Sequence, residues 1–389
     1  MKLNKKGVFE SYFVFILSPF LSIPFILAQI LRKDKNSIFL LSLLMGIISY
    51  LFIPHVNNDK TRYIERYLDF KYLNFQGFFE HLIISQRPDF IFESFIYLFS
   101  SFNFNINFLF FIITSFTYFT IFYFGKCLTT EKEYHNYFVL VFFLFFLSFS
   151  FPHLFSGVRF YFGISLFLWS IYFMQLRKPL FMGIFMVLAT QTHFSIIAFV
   201  VPLLVLYLFP NKSFKIFFLL SLLFLFLPHS ILDQILNTGI LPQAISFKTS
   251  LYLYQETSIS ENLHLLDFLR NLWVYLACIY LLIRRNDKSI YYNLNLLFFA
   301  IVNVTHILPV VFMRYAILLK IMFILLLLFD YKKNRNIKPL LLFIFLFVLA
   351  QLIDIYVLRY NFLASFSKEH FLNLYSIFSK NISLNDILY

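Results

Sequence analysis

Charge is what this sequence has least of. Only 13% of its 389 residues are Asp, Glu, Lys or Arg, about half the share of an ordinary soluble domain. That excludes a soluble fold and leaves no room for a separate soluble domain of ordinary size. Acidic residues are scarcer still, 19 against 32 basic ones. The net charge of +13 does not point to nucleic acid, because the basic residues stand in short clusters between apolar runs, the pattern that orients membrane helices. There are two cysteines. Cys127 ends one apolar run and Cys278 lies inside another, so they differ too much in depth to pair and are too few for a metal centre. No P-loop and no DxD-like acidic pair is present, so no nucleotide, divalent metal or other cofactor is predicted.

What is there is apolar and aromatic: 60% hydrophobic residues, 22% aromatic, and a mean hydropathy of +0.78. Apolar runs recur along the chain at close to the length of about 20 residues that a lipid-spanning helix needs. The chain reads as an all-α polytopic integral membrane protein with about 11–12 transmembrane helices, forming one membrane domain over residues 1–389. Spans are predicted near 12–31, 37–54, 105–124, 136–152, 157–175, 180–191, 194–209, 214–229, 264–283, 289–307, 314–330 and 339–357. The basic clusters are RKDKN at 32–36, Lys126 to Lys132, Arg177–Lys178, Lys212 to Lys215, Arg284 to Lys288 and Lys332 to Lys338. Placing all of them in the cytoplasm follows the positive-inside tendency and puts the segments 54–90, 229–263 and 358–389 outside.

Three stretches strain that scheme. The start, MKLNKKGVFE, is basic and lacks a small-residue cleavage site, so the first span is read as retained. Its basic flank favours the cytoplasm although counting places it outside, and Pro19 and Pro24 can kink it. The pair 180–191 and 194–209 is short for full spans and reads as tilted or as a re-entrant hairpin. FIFESFIYLF, after the first outer loop, reads as an interfacial helix. In the second outer loop SFKTSLYLYQE alternates polar and apolar residues as a short strand or amphipathic turn does, and Tyr252 and Tyr254 there can cover a sugar face. Sixty phenylalanines together with many Lys, Asn and Ile fit an AT-rich genome and favour a bacterial inner membrane.

Ionisable residues from separated stretches then gather on the outer side: Asp59, Arg62, Arg87, Asp89, His153, Arg159, His193, His229, His306 and Arg314. A shared outward cavity would explain them, although an ordinary polar loop accounts for any single histidine. Arginine at the rim of an apolar segment costs several kcal/mol on most scales and calls for a partner. Arg159 stands in SGVRFYFG, where Gly157 and Gly163 allow close helix packing, and Arg314 follows HILPVVFM. Each could snorkel to the headgroups. Alternatively the two form a phosphate clamp, since guanidinium keeps its charge and presents a planar fork of donors.

Five elements in order, NDKTRYIERY, RPDFIFESFIYLF, FSGVRFYFGISLFLWSIYF, ATQTHFSIIAFVVPLLVL and VVFMRYAILL, resemble the EpsG family of membrane proteins, Wzy-like polymerases of bacterial surface polysaccharides. The resemblance covers nearly the whole chain. It implies an enzyme that joins undecaprenyl diphosphate-linked oligosaccharide repeat units on the outer face of the inner membrane, with a fold related to the GT-C-type glycosyltransferases. Membrane lipid and the flippase and chain-length regulator of the same pathway are the partners it implies. It carries Asp59, Arg87, Arg159, His193 and Arg314 over to matching positions; where the family shows an acidic residue before proline, this chain has Arg87-Pro88-Asp89. In that reading Arg159 and Arg314 stabilise the departing diphosphate, and His193, or second to it Asp59, is the base for the accepting hydroxyl. Arg62, Arg87, Asp89, His153, His306, Tyr252 and Tyr254 bind substrate. A flippase of the same lipid-linked sugars and a non-polymerising glycosyltransferase stay open as alternatives.

Overall fold

The computed structural model describes residues 5–34, 36–84, 89–129, 138–210, 212–226, 261–284, 289–365, 373–379 and 384–387. Among them the regular elements are all helical, as a lipid-embedded chain requires if each backbone group is to find its partner within its own segment. Two compact units emerge: Met1–Phe146 with Phe151–Ile196 and Ile355–Tyr389, and Leu147–Ser150 with Ile197–Asp354.

In chain order the helices are α1 (Lys5–Leu17), α2 (Ile23–Leu31), α3 (Asn36–Leu51), α4 (Asp59–Phe70), α5 (Phe75–Ile84), α6 (Phe90–Ser101), α7 (Ile106–Thr129), α8 (Phe138–Ser148), α9 (Phe151–Ser156), α10 (Val158–Gln175) and α11 (Pro179–Thr192). They continue with α12 (Ile197–Leu208), α13 (Lys215–Ser221), α14 (Glu261–Ile283), α15 (Ile290–Val304), α16 (Pro309–Asn334), α17 (Lys338–Val357), α18 (Arg359–Ser365) and α19 (Leu374–Phe378). Among the described residues four stretches are long and apolar enough to cross a membrane: Ile106–Gly125, Leu265–Ile283, Val311–Asn334 and Lys338–Val357. Shorter apolar helices of 10–17 residues stand near most of the other predicted spans, and the chain is a polytopic helical membrane protein.

The first predicted span needs correction. Instead of one helix over 12–31, the chain breaks after Leu17, where Pro19 removes a donor and Ser22 turns its hydroxyl back onto the Pro19 carbonyl at 2.5 Å. Gln29 on α2 then donates its side-chain amide to Ser11 on α1 at 2.5 Å. In a straight helix those residues would stand about 27 Å apart. The two short helices therefore fold back on each other, and the basic start and the RKDK end of this segment can lie on the same side. That removes the conflict between flank charge and span counting.

Scarcity of glycine shapes the helix ends. The left-handed residue that closes many helices is usually glycine, but here Lys33, Asn103, Arg177 and Arg335 take it, with φ of 60°, 52°, 55° and 53°. At three of the ends both bonds of a Schellman closure are present, for example Arg177 N to Met174 O at 3.0 Å and Lys178 N to Phe173 O at 3.0 Å. The three basic ones complement the negative end of the helix dipole and stand in the clusters that the positive-inside tendency assigns to one side.

In the first unit α4 to α6 pack over α7 and α10 through an aromatic core that includes Tyr63, Phe70, Phe78, Phe92, Tyr97 and Phe110. At Gly46 a Cβ would stand 2.8 Å from the Phe111 carbonyl, so only glycine lets α3 approach α7 this closely. Lys60, on the first turn of α4, is fully buried and donates to the Ser49 and Phe52 carbonyls at 2.7 Å each, closing the end of α3. Burial pushes its ammonium well below the ordinary lysine range, opposed by those carbonyls and by the Phe110 ring 4.9 Å away. The C-terminal tail returns to the same place: Ser365 accepts from Ile53 N at 2.7 Å and the Phe378 carbonyl accepts from Tyr50 at 3.0 Å.

The second unit also carries charges within its apolar helices. Arg270 on α14 donates to Asp267 at 2.7 Å and reaches Asp354 on α17 at 3.5 Å. Lys320, buried in the middle of α16, lies over Trp273 and Phe347 at 5.5 and 5.3 Å.

Candidate functional site

Asp89 is the hub of the first unit. It sits at the N-cap position of α6, where an aspartate side chain ordinarily caps its own helix, yet its carboxylate makes no capping bond. One oxygen instead takes Arg159 Nη1 at 2.9 Å, and the other takes the backbone N–H of Phe194 at 2.6 Å. One side chain thereby ties α6, the head of α10 and the turn after α11, segments separated by 70 and 105 residues. Long-range bonds here take the place of a local cap.

Arg159 needs that partner. It is the second residue of α10, after Gly157 at the N-cap, and a cation at the positive end of a helix is electrostatically misplaced. The guanidinium is mostly buried, its side chain 18% exposed, and lies 5.8 Å from the Tyr63 ring centre. The carboxylates of Asp89, Asp59 and Glu93 all act on it. Arg159 is thus held by Asp89 against the protein. Guanidinium, helix N-terminus and glycine together offer donors that an anion can use, beside the Asp89 carboxylate that already pairs with the guanidinium.

His193 follows directly from this arrangement. It ends α11 in an extended conformation, is 8% exposed, packs edge-on against Phe160 at 5.0 Å and hydrogen-bonds through Nδ1 to Ser195 Oγ at 2.7 Å. In the tautomer that donates from Nδ1, Nε2 is the basic nitrogen. Gly163 on α10 permits the approach: a Cβ there would collide with Ile196 and stand 3.3 Å from His193 Cβ. The predicted pair 180–191 and 194–209 is accordingly a helix, a single 3-10 turn at Phe194–Ile196, and a second helix.

Asp59 begins α4, pairs with Arg62 at 3.5 Å and faces the same glycine, its Oδ2 4.0 Å from where a Gly157 Cβ would be. Arg62 is largely exposed, with its side chain at 58%. Arg66, one turn on, pairs with the fully buried Glu93 of α6. Arg62, Glu65, Arg66, Asp69 and His81 border an open cavity of about 500 Å³ along α4. FIFESFIYLF, predicted to lie at the interface, forms α6 with Phe92, Glu93 and Ile96 fully buried.

The remaining candidates fall in the first unit, in the second, or outside the described residues. His153 lies on α9, six residues before Arg159, and its carbonyl accepts from Gly157 N at 2.9 Å. In the second unit, His306 Nε2 bonds Tyr275 at 2.9 Å and Arg314 is half-buried on the second turn of α16. Arg87, His229, Tyr252 and Tyr254 lie outside the described residues, as does the predicted strand or turn in SFKTSLYLYQE. Sequence reasoning passed over Glu93, Arg66, Lys60 and the Arg270, Lys320 and Asp354 set. The signal was present, for each of Glu93, Lys320 and Asp354 is the sole charge in its apolar run. Among the described residues no three His, Cys, Asp or Glu side chains are grouped as a metal ion requires.

The family model of EpsG matches residues 38–375, most of the chain. No curated protein and no solved structure matches it.

Proposed function

Because the chain belongs to the EpsG family, and is by that membership a membrane protein of polysaccharide biosynthesis, we propose that it polymerises undecaprenyl diphosphate-linked oligosaccharide repeat units on the periplasmic face of a bacterial inner membrane. The observation that carries the proposal is the Asp89 carboxylate joining Arg159 to the turn that follows His193. It supports a site in which an anion-binding group and a base belong to one rigid constellation.

The reaction breaks the bond between the reducing-end sugar of one chain and its lipid diphosphate, and forms a glycosidic bond to a hydroxyl of a second lipid-linked unit. Negative charge develops on the departing diphosphate, where Arg159 at the head of α10 stabilises it. The accepting hydroxyl gives its proton to His193 Nε2, with Asp59 as the alternative acceptor. Asp89 is a positioning residue: both of its oxygens are engaged, one aiming the guanidinium and one fixing the turn. Arg314 enters this reading from its sequence position alone, as a second guanidinium for the diphosphate. Both substrates are anchored in one bilayer, which supplies much of the orientation that two large reactants need.

The test is deletion of the gene, complementation with wild type or Asp89→Asn, and electrophoresis of the surface glycan. A single-repeat product in the deletion strain and with Asp89→Asn, against a ladder with wild type, is expected. Glycan missing altogether from the surface would point to the flipping step and overturn polymerisation.

A further inference from the structure

The second unit carries a polar cavity of about 790 Å³ bordered by Tyr280, Arg284, Asp330, Lys333 and Asn336. Its walls are fixed by short bonds: Asp330 takes Tyr280 Oη at 2.6 Å on one oxygen and Arg284 Nη2 at 2.5 Å on the other, while the Arg284 guanidinium lies 4.6 Å from the Tyr292 ring centre. Asp330 balances Arg284, so the surplus charge comes from the chain that follows. From Tyr331 to Lys338 there are four basic residues and no acidic one, and Lys333 reaches the cavity itself.

Position narrows the ligand. The cavity stands at the end of α14, the end of α16 and the start of α17, three helices read as spanning the membrane. That is the depth at which phospholipid headgroups stand. Along α16 its Lys333 stands about 28 Å from Arg314, at 1.5 Å per residue, at the opposite end of that helix. Ile283 borders it and is 78% exposed, and Leu341, Leu342 and Phe345 continue from it along α17 as exposed apolar side chains. A cationic cavity that runs into an exposed apolar flank matches a ligand with an anionic head and apolar chains.

We propose that this cavity binds the headgroup of an anionic phospholipid of the leaflet on the basic-loop side, with Lys333 meeting the phosphate and the acyl chains lying along α17. Cationic pockets between spanning helices on that side are suited to such headgroups. Tyr280, Asn336 and the Arg284–Asp330 pair supply donors and acceptors for the glycerol or its phosphate ester oxygens.

The full chain, purified in detergent, is mixed with equal amounts of phosphatidylglycerol and phosphatidylcholine, and retained lipid is counted by native mass spectrometry. Selective retention of phosphatidylglycerol is expected. Lys333→Gln should lower that selectivity by about fivefold, the scale of one basic side chain at a lipid phosphate. Lys212→Gln, on another basic loop, should leave it unchanged. Lys333 is exposed on the last turn of α16, so its replacement does not test folding. Equal retention of the two lipids, or unchanged selectivity in Lys333→Gln, would overturn the site. Displacement of the lipid by millimolar glycerol 3-phosphate or inorganic phosphate would assign the cavity to a soluble phosphate and overturn the lipid.

Discussion

At the scale of single residues, scarcity of charge makes every buried charge informative, because each must be matched. Arg159 sits at the wrong end of a helix for a cation and is held there by Asp89. If its fork serves the diphosphate, Arg159→Lys should fail nearly as badly as Arg159→Ala, each losing on the order of 2–4 kcal/mol of transition-state stabilisation. Glycan ladder length at matched protein levels reads this out, and wild-type ladders from Arg159→Lys would reduce the residue to a structural charge. The charges of the second unit make a different prediction. Removing Asp354 leaves Arg270 and Lys320 in apolar surroundings with less counter-charge, so Asp354→Ala should destabilise the protein by about 3–5 kcal/mol, and adding Lys320→Met should recover part of the loss. Thermal unfolding in detergent decides it: a double variant no more stable than Asp354→Ala would show that Lys320 does not depend on that carboxylate. Asp59, Asp89, Arg159 and His193 were legible in the sequence as ionisable residues at the rims of apolar runs, and the structure gathers them around one carboxylate and one glycine. Glu93 stood out as a lone glutamate in an aromatic run, but its partner did not: only the packing of α4 against α6 shows that it answers Arg66.

Among the elements, hydrophobic runs located most helices within a few residues, since run length and flanking charge are what the bilayer acts on. They misread the first one because hydropathy does not register a reversal inside an apolar stretch. The bond between Gln29 and Ser11 makes the hairpin testable. With Cys127 and Cys278 replaced by serine and alanine, the pair Ser11→Cys and Gln29→Cys should cross-link under mild oxidation in isolated membranes, within one chain and at any expression level. A continuous helix would hold those positions about 27 Å apart and give no intramolecular product. The turn at Phe194–Ile196 was visible as an unusually short pair of runs, but its reason was not: Gly163 gives it room and Asp89 anchors its backbone, two contacts that no local pattern encodes.

Across the whole molecule, orientation is written in the basic clusters and repeated in the backbone. Lys33, Arg177 and Arg335 occupy left-handed helix ends where glycine is ordinarily found, and each belongs to a cluster assigned to the cytoplasm. Asn103, the fourth such residue, precedes α7 on the side assigned to the periplasm. Local closure and global sidedness thus select the same residue type at the same ends: a cation there complements the helix dipole and resists translocation. The consequence is that the two exposed residues Asn57 and Lys212 should lie on opposite sides of the membrane. In the cysteine-free background, Asn57→Cys should react with an impermeant maleimide in intact spheroplasts, whereas Lys212→Cys should react only after the membrane is opened. Asp59 begins α4 two residues after Asn57, so the experiment also fixes the side on which the proposed base stands. Labelling of Lys212→Cys in sealed spheroplasts, with Asn57→Cys protected, would invert the arrangement and place the Asp89 constellation in the cytoplasm, where lipid-linked units exported for polymerisation could not reach it.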